Sequence, residues 1–171
     1  RMGWMNDLLA TGDAGAKLGL RLVTDWRRVF GKWNSFSWGP DVIERRVFNL
    51  ACAARRLTYA ASDAERSLVL DDLARQARHL VSIGQAPERL LERVVVAGIA
   101  GCTLGGEAGD RLIDFSMTRL KTLLATTVSH EGVHVSRSPQ AGLELLFDLM
   151  TLDDALHQRG QAGPDDLPRA I

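Results

Sequence analysis

The chain has 171 residues, enough for a domain with a packed core, and its 46% apolar and 25% charged residues exclude a disordered polypeptide. Its 21 basic residues cancel its 21 acidic ones, so no global field points to nucleic acid or to an anionic membrane, and neither is expected as a partner. No run of about 18 apolar residues is present to span a bilayer. The start, Arg1-Met2-Gly3-Trp4, carries no secretory leader and reads as the interior of a longer protein.

Apolar residues recur with helical period nearly throughout, which predicts seven helices over roughly 3–10, 13–31, 40–59, 63–82, 87–104, 107–128 and 139–159. Between the second and third, residues 32–39 form a loop holding Trp33 and Trp38, and all four tryptophans precede residue 40. Pro40 and Pro87 suit first-turn positions, and Gly31 and Gly160 suit helix stops. Ile43, Val47, Leu50, Ala54 and Leu57 make one buried face, and Ile113, Met117, Leu120 and Leu124 another. Ser62-Asp63-Ala64-Glu65 is a capping box, and Gly105-Gly106 separates two helices. Cys52 and Cys102 fall in apolar helical patterns without metal-ligand spacing and are expected as buried free thiols. Short connections predict an all-α fold of antiparallel helical hairpins over residues 1–160. Residues 161–171 read as a tail or linker.

The helical pattern breaks at Glu131 to Pro139, where a Gly, a β-branched alternation and a Ser-Pro pair intervene. Ser138 is suited to the N-cap and Pro139 to the first turn of the last helix. His134, Ser136 and Arg137 therefore sit beside a helix N-terminus, where Arg137 could hold a carboxylate or sulfate and His134 could neutralise charge or carry a proton. The plainer alternative is that Arg137 caps a neighbouring helix and His134 fills the turn. In the aromatic loop, Trp38 could stack on a sugar ring beside Arg46 and Asn49, which share a helix face. Trp33 is expected to anchor its loop on the core instead. Arg75, Gln76 and His79 lie on one helical face, compatible with a site or with solvated surface. His130, His157, Asp153-Asp154 and Asp165-Asp166 read as surface. No phosphate loop, His-Glu metal spacing or nucleophile elbow occurs, so no metal and no cofactor is expected.

Trp38-Gly39-Pro40, Arg45-Arg46-Val47-Phe48-Asn49, Gln76-Ala77-Arg78-His79-Leu80, Gly105-Gly106, His134 to Pro139 and Leu146-Phe147-Asp148-Leu149 follow in that order within residues 20–159. The ordered set resembles the N-terminal helical part of the bacterial heparinase II/III family. The resemblance implies an incomplete α/α toroid, seven helices being too few to close the ring, followed in the full-length protein by a C-terminal β-sandwich region. It also implies a periplasmic polysaccharide lyase acting on uronic-acid glycans by β-elimination, with an acidic polysaccharide as partner. The chemistry needs a group that neutralises the uronate carboxylate and a base for the C5 proton. Substrate-binding residues would be Trp38, Arg46, Asn49, His79, His134, Ser136 and Arg137.

The departures are specific. An Asn-His pair of the family falls on Glu88-Arg89, and a Tyr-His pair on Ala141-Gly142; the single tyrosine, Tyr59, lies at the end of another helix. No catalytic residue is thereby identified, with His134 the remaining candidate. Three readings follow: a lyase domain, a catalytically degenerate glycan-binding domain, and a helical interaction scaffold without a sugar ligand.

Overall fold

Cap chemistry sets the helix ends in the computed structural model, which describes residues 1–83 and 89–171. The class is all-α. Among the described residues there is no strand, only an isolated antiparallel bridge between Val128 and His134. The helices are α1 (Met5–Ala10), α2 (Asp13–Phe30), α3 (Pro40–Thr58), α4 (Asp63–Ser82), α5 (Leu90–Leu104), α6 (Gly106–Thr127), α7 (Pro139–Gln158) and α8 (Leu167–Ala170). The first seven fall within three residues of the predicted spans; the predicted first-turn Pro87 and the position Glu88 lie outside the described residues. The chain forms two compact units, Arg1–Ile83 and the remainder.

In the first unit α3 and α4 make an antiparallel hairpin across residues 59–62, with α1 and α2 packed on it. Ile43, Val47, Leu50, Ala54 and Leu57 are all buried, as the spacing predicts, and so are Val69, Leu73, Ala77 and Leu80 of α4 and Leu20 and Val23 of α2, the helices that pack on α3. Each such Leu, Ile or Val contributes about 1.5–3 kcal/mol by leaving water. The capping box is formed: Ser62 Oγ accepts from the Glu65 amide and Glu65 Oε2 accepts from the Ser62 amide. Glu65 Oε2 also accepts from the Ser62 hydroxyl at 2.7 Å, and this bond, with the one from the Ser62 amide, holds the Glu65 carboxyl below its ordinary range. Cys52 is exposed, contrary to expectation, because it lies between Ala51 and Ala53 but off the inward stripe.

In the second unit α5 is the central helix, buried without interruption from Leu91 to Gly101. A helix buried on every side needs several neighbours, and α6 and α7 pack on it. Glycines at 98, 101 and 109 let α5 and α6 approach closely. The turn between them runs through Gly105 and Gly106 at φ +65° and +57°, left-handed conformations that a side chain disfavours. Ile113, Leu120 and Leu124 are buried, while Met117 is only half-buried and Ser116 takes the interior position. Cys102 is half-buried and free; burial pushes its thiol pKa up, partly offset by Arg159. Residues 161–171, expected as a linker, include α8, whose Leu167 is buried against Leu156 and Gly163.

The start of α7 matches the Ser-Pro signature. Pro139 occupies the first turn and Ser138 Oγ accepts from the Ala141 amide at 3.3 Å. Ser138→Ala leaves that amide without its partner and is expected to lower unfolding stability by about 1 kcal/mol in a urea titration. An unchanged midpoint would show that the cap contributes nothing.

Candidate functional site

Helical spacing carries Arg46 onto the inward face of α3 between Ile43 and Leu50, and only 1% of it is exposed. A buried guanidinium must find partners or it opposes folding. Arg46 Nη1 donates to the Ser37 carbonyl, and Nε donates to Gln76 Oε1 at 2.5 Å. Its cation also lies over the Trp26 and Trp38 rings, at 4.4 and 5.6 Å from their centroids. Gln76 passes the polarity on, donating from Nε2 to Asp72 Oδ2 at 2.6 Å. The buried Asp72 carboxylate pairs with Arg75 and, at 3.6 Å, with Arg27 Nε. Burial pulls the Arg46 pKa down to about 10, with Asp72 acting in the opposite sense, so Arg46 remains a cation at neutral pH.

The same network holds the aromatic loop. Trp38 Nε1 donates to the Phe30 carbonyl at 2.9 Å, and its ring meets His79 edge-on at 5.2 Å. His79 Nε2 donates to the Trp38 carbonyl at 3.3 Å. Asn34 Oδ1 accepts from the amide and hydroxyl of Ser37 at 2.8 and 2.9 Å. The expectation for Trp33 fails, since it is 69% exposed, and Trp38, for which sugar stacking and anchoring were both open, is the buried anchor. Trp38, Arg46 and His79 are thus brought together, but their polar atoms are engaged within the unit, by the Phe30, Ser37 and Trp38 carbonyls and by Gln76. Arg46 Nη2 has no hydrogen-bond partner among the described residues and is itself shielded from solvent. Asn49 stands apart, half-buried and donating to the Arg1 carbonyl at 2.9 Å.

In the second unit the predicted break is a tight hairpin-like turn. The Val135 amide donates to the Thr127 carbonyl and the Ser129 amide to the Val133 carbonyl, both at 2.9 Å. His134 is buried beneath it. Its Nδ1 accepts from the Ser136 amide at 3.1 Å and lies 2.7 Å from Ser136 Oγ, so the neutral ring carries its proton on Nε2. Nε2 faces Glu92 Oε1 at 3.8 Å, beyond hydrogen-bond length. Arg137 is exposed, with φ +53°, and its amide closes the turn on the His134 carbonyl at 2.8 Å. His134 and Arg137 line a cleft of about 600 Å³ whose walls are otherwise mostly apolar, among them Val133, Pro139, Leu143 and Leu146. The positions of the missing pair, Ala141 and Gly142, lie in the first turn of α7, and a Cβ added at Gly142 would stand 3.8 Å from the His134 Cβ.

The candidate residues therefore divide between the units, with Trp38, Arg46, Asn49 and His79 in the first and His134, Ser136 and Arg137 in the second. Asp72, Trp26 and Glu92 were not anticipated. Only Asp72 left a signal, a carboxylate three and four residues before Arg75 and Gln76 on one helical face. Among the described residues no group of three or more His, Cys, Asp or Glu is placed to hold a metal ion, and no helix is long and apolar enough to cross a membrane.

Over all 171 residues the chain is 58% identical to FtsZ-localized protein C of Caulobacter vibrioides, and it spans 30% of that protein's length. No family model matches the chain, and no solved structure matches it. This finding overturns the heparinase II/III resemblance. With it fall the polysaccharide-lyase function, the β-elimination chemistry, the acidic polysaccharide partner and the β-sandwich region inferred to follow. The reason lies in what the motifs do: Pro40, the Gly105-Gly106 turn and Ser138-Pro139 punctuate helices, while Trp38, Arg46 and His79 are joined to one another.

Proposed function

We propose that this chain is a helical docking module through which a longer protein takes its place with FtsZ in the division apparatus. The observation that carries the reading is the 58% identity, extending over every residue, to a protein named for its localisation with FtsZ. The geometry supports it in a second way. The polar constellations are spent on holding loops in place, Arg46 and Gln76 on the aromatic loop and His134 and Ser136 on the turn before α7. We assign His134, Ser136 and Arg137 to shaping that turn, and the docking role to the helical region of residues 1–160, its loops included. Each unit is built on an antiparallel hairpin, the element that an α/α toroid repeats, and this is the support for that finer architecture.

Co-sedimentation tests the reading. The purified chain spun with assembled FtsZ polymers is expected in the pellet in proportion to polymer, and in the supernatant without it. A pellet fraction that does not rise with polymer would sink the proposal.

A further inference from the structure

Loop 31–39 is fixed from within. Asn34 collects the Ser37 amide and hydroxyl and donates from Nδ2 to the Lys32 carbonyl at 3.0 Å. The Trp38 amide bonds the Asn34 carbonyl at 3.0 Å, and the Trp38 indole bonds back to Phe30. Holding this loop requires Trp38, and not Trp33 or Phe36. Yet Trp33 is 69% exposed and Phe36 82% exposed, with Val29 exposed close by on the last turn of α2. Two large aromatics displayed on an ordered loop form an apolar patch that nothing in the fold accounts for. An ordered loop loses little conformational freedom on binding, and Trp is enriched among the few residues that carry most of an interface's binding energy.

The surroundings of this patch are basic. Arg27 and Arg75 both pair with the carboxylate of Asp72, and the Arg75 cation lies 5.4 Å from the centre of the Trp38 ring. The side chains of Arg27 and Arg75 are each 39% exposed, so both still reach solvent. Lys32, next to Trp33, is exposed as well. Two guanidiniums on one carboxylate, with Lys32 exposed in the loop itself, leave positive charge beside the loop that carries the patch. A complementary partner carries carboxylates beside an apolar side chain, and the planar guanidinium fork suits carboxylates.

We infer that the loop bearing Trp33 and Phe36, together with Arg27 and Arg75, is the surface that docks an acidic, apolar-bearing peptide segment of FtsZ. This rests on the proposed association with FtsZ. The test uses the whole chain and assembled FtsZ, comparing the unaltered protein with Trp33→Ser/Phe36→Ser, Phe36→Ser alone and Lys32→Glu, each first matched to it in thermal midpoint. The double variant is expected to bind about tenfold more weakly or worse, and Phe36→Ser in between; it remains a test of the surface should the double variant fail to fold. Lys32→Glu is expected to weaken binding by about two- to fivefold, as is raising the salt from roughly 0.05 to 0.5 M. Binding of both serine variants within twofold of the unaltered chain overturns this surface and leaves the association standing. Absence of binding by the unaltered chain overturns both. Sedimentation with phosphatidylglycerol vesicles in place of FtsZ, lost in Phe36→Ser, overturns the peptide partner in favour of a lipid one.

Discussion

Arg46→Ala is expected to lower the stability of the first unit by about 3–5 kcal/mol, read as the urea midpoint by far-ultraviolet circular dichroism. Three losses act together. The substitution strands Gln76 Oε1 and the Ser37 carbonyl, both buried, and leaves a cavity between the Trp26 and Trp38 rings. It also removes one of the cations that face Asp72. Arg46→Lys is expected to recover little of this, since an ammonium cannot donate from two fixed directions and stack between rings at once. A loss below about 1 kcal/mol would mean that the buried guanidinium is tolerated and not structural. Such a result would reopen the question of what it binds.

Gly101→Val in α5 is expected to cost about 3 kcal/mol or more by the same measurement. A Cβ at 101 would stand 2.7 Å from the Gly109 carbonyl oxygen and 2.9 Å from Ile113 Cγ1. The first is backbone and cannot rotate away, so the α5–α6 crossing must open. Gly142→Ala is the internal contrast. Its Cβ meets only His134 Cβ at 3.8 Å, an ordinary contact, within a helix where alanine is favoured over glycine by about 0.5–1 kcal/mol. Stabilisation at 142 with destabilisation at 101 would place the constraint in the helix crossing. Equal effects would place it in glycine content alone.

Much of the fold was legible because helix ends are written locally. Pro40, the Ser62–Glu65 box, Gly105-Gly106 and Ser138-Pro139 each act through bonds within a few residues, and each appears where the spacing puts it. α8 was not legible: four residues show no period, and Leu167 is held by tertiary contact with Leu156 and Gly163. The site was less legible than the helices for a related reason. Period 3.6 places Arg46 on the inward face of α3, but a charge on an inward face reads the same whether it meets a ligand or another helix. What decides it is Gln76, thirty residues away, and the Ser37 carbonyl in a loop. Trp33 and Trp38 likewise look alike in sequence; the indole that found the Phe30 carbonyl became the anchor, and the other was left in solvent.

The distribution of tryptophan between the two units has a spectroscopic consequence. Trp4, Trp26, Trp33 and Trp38 all belong to the unit that ends at Ile83, and the other has none. Indole emission therefore reports on the first unit alone, whereas helical ellipticity sums over both. Should the units melt independently, the two signals will trace different curves from one sample. The Arg46 variant would then shift the emission curve, and the Gly101 variant would pass unseen by it.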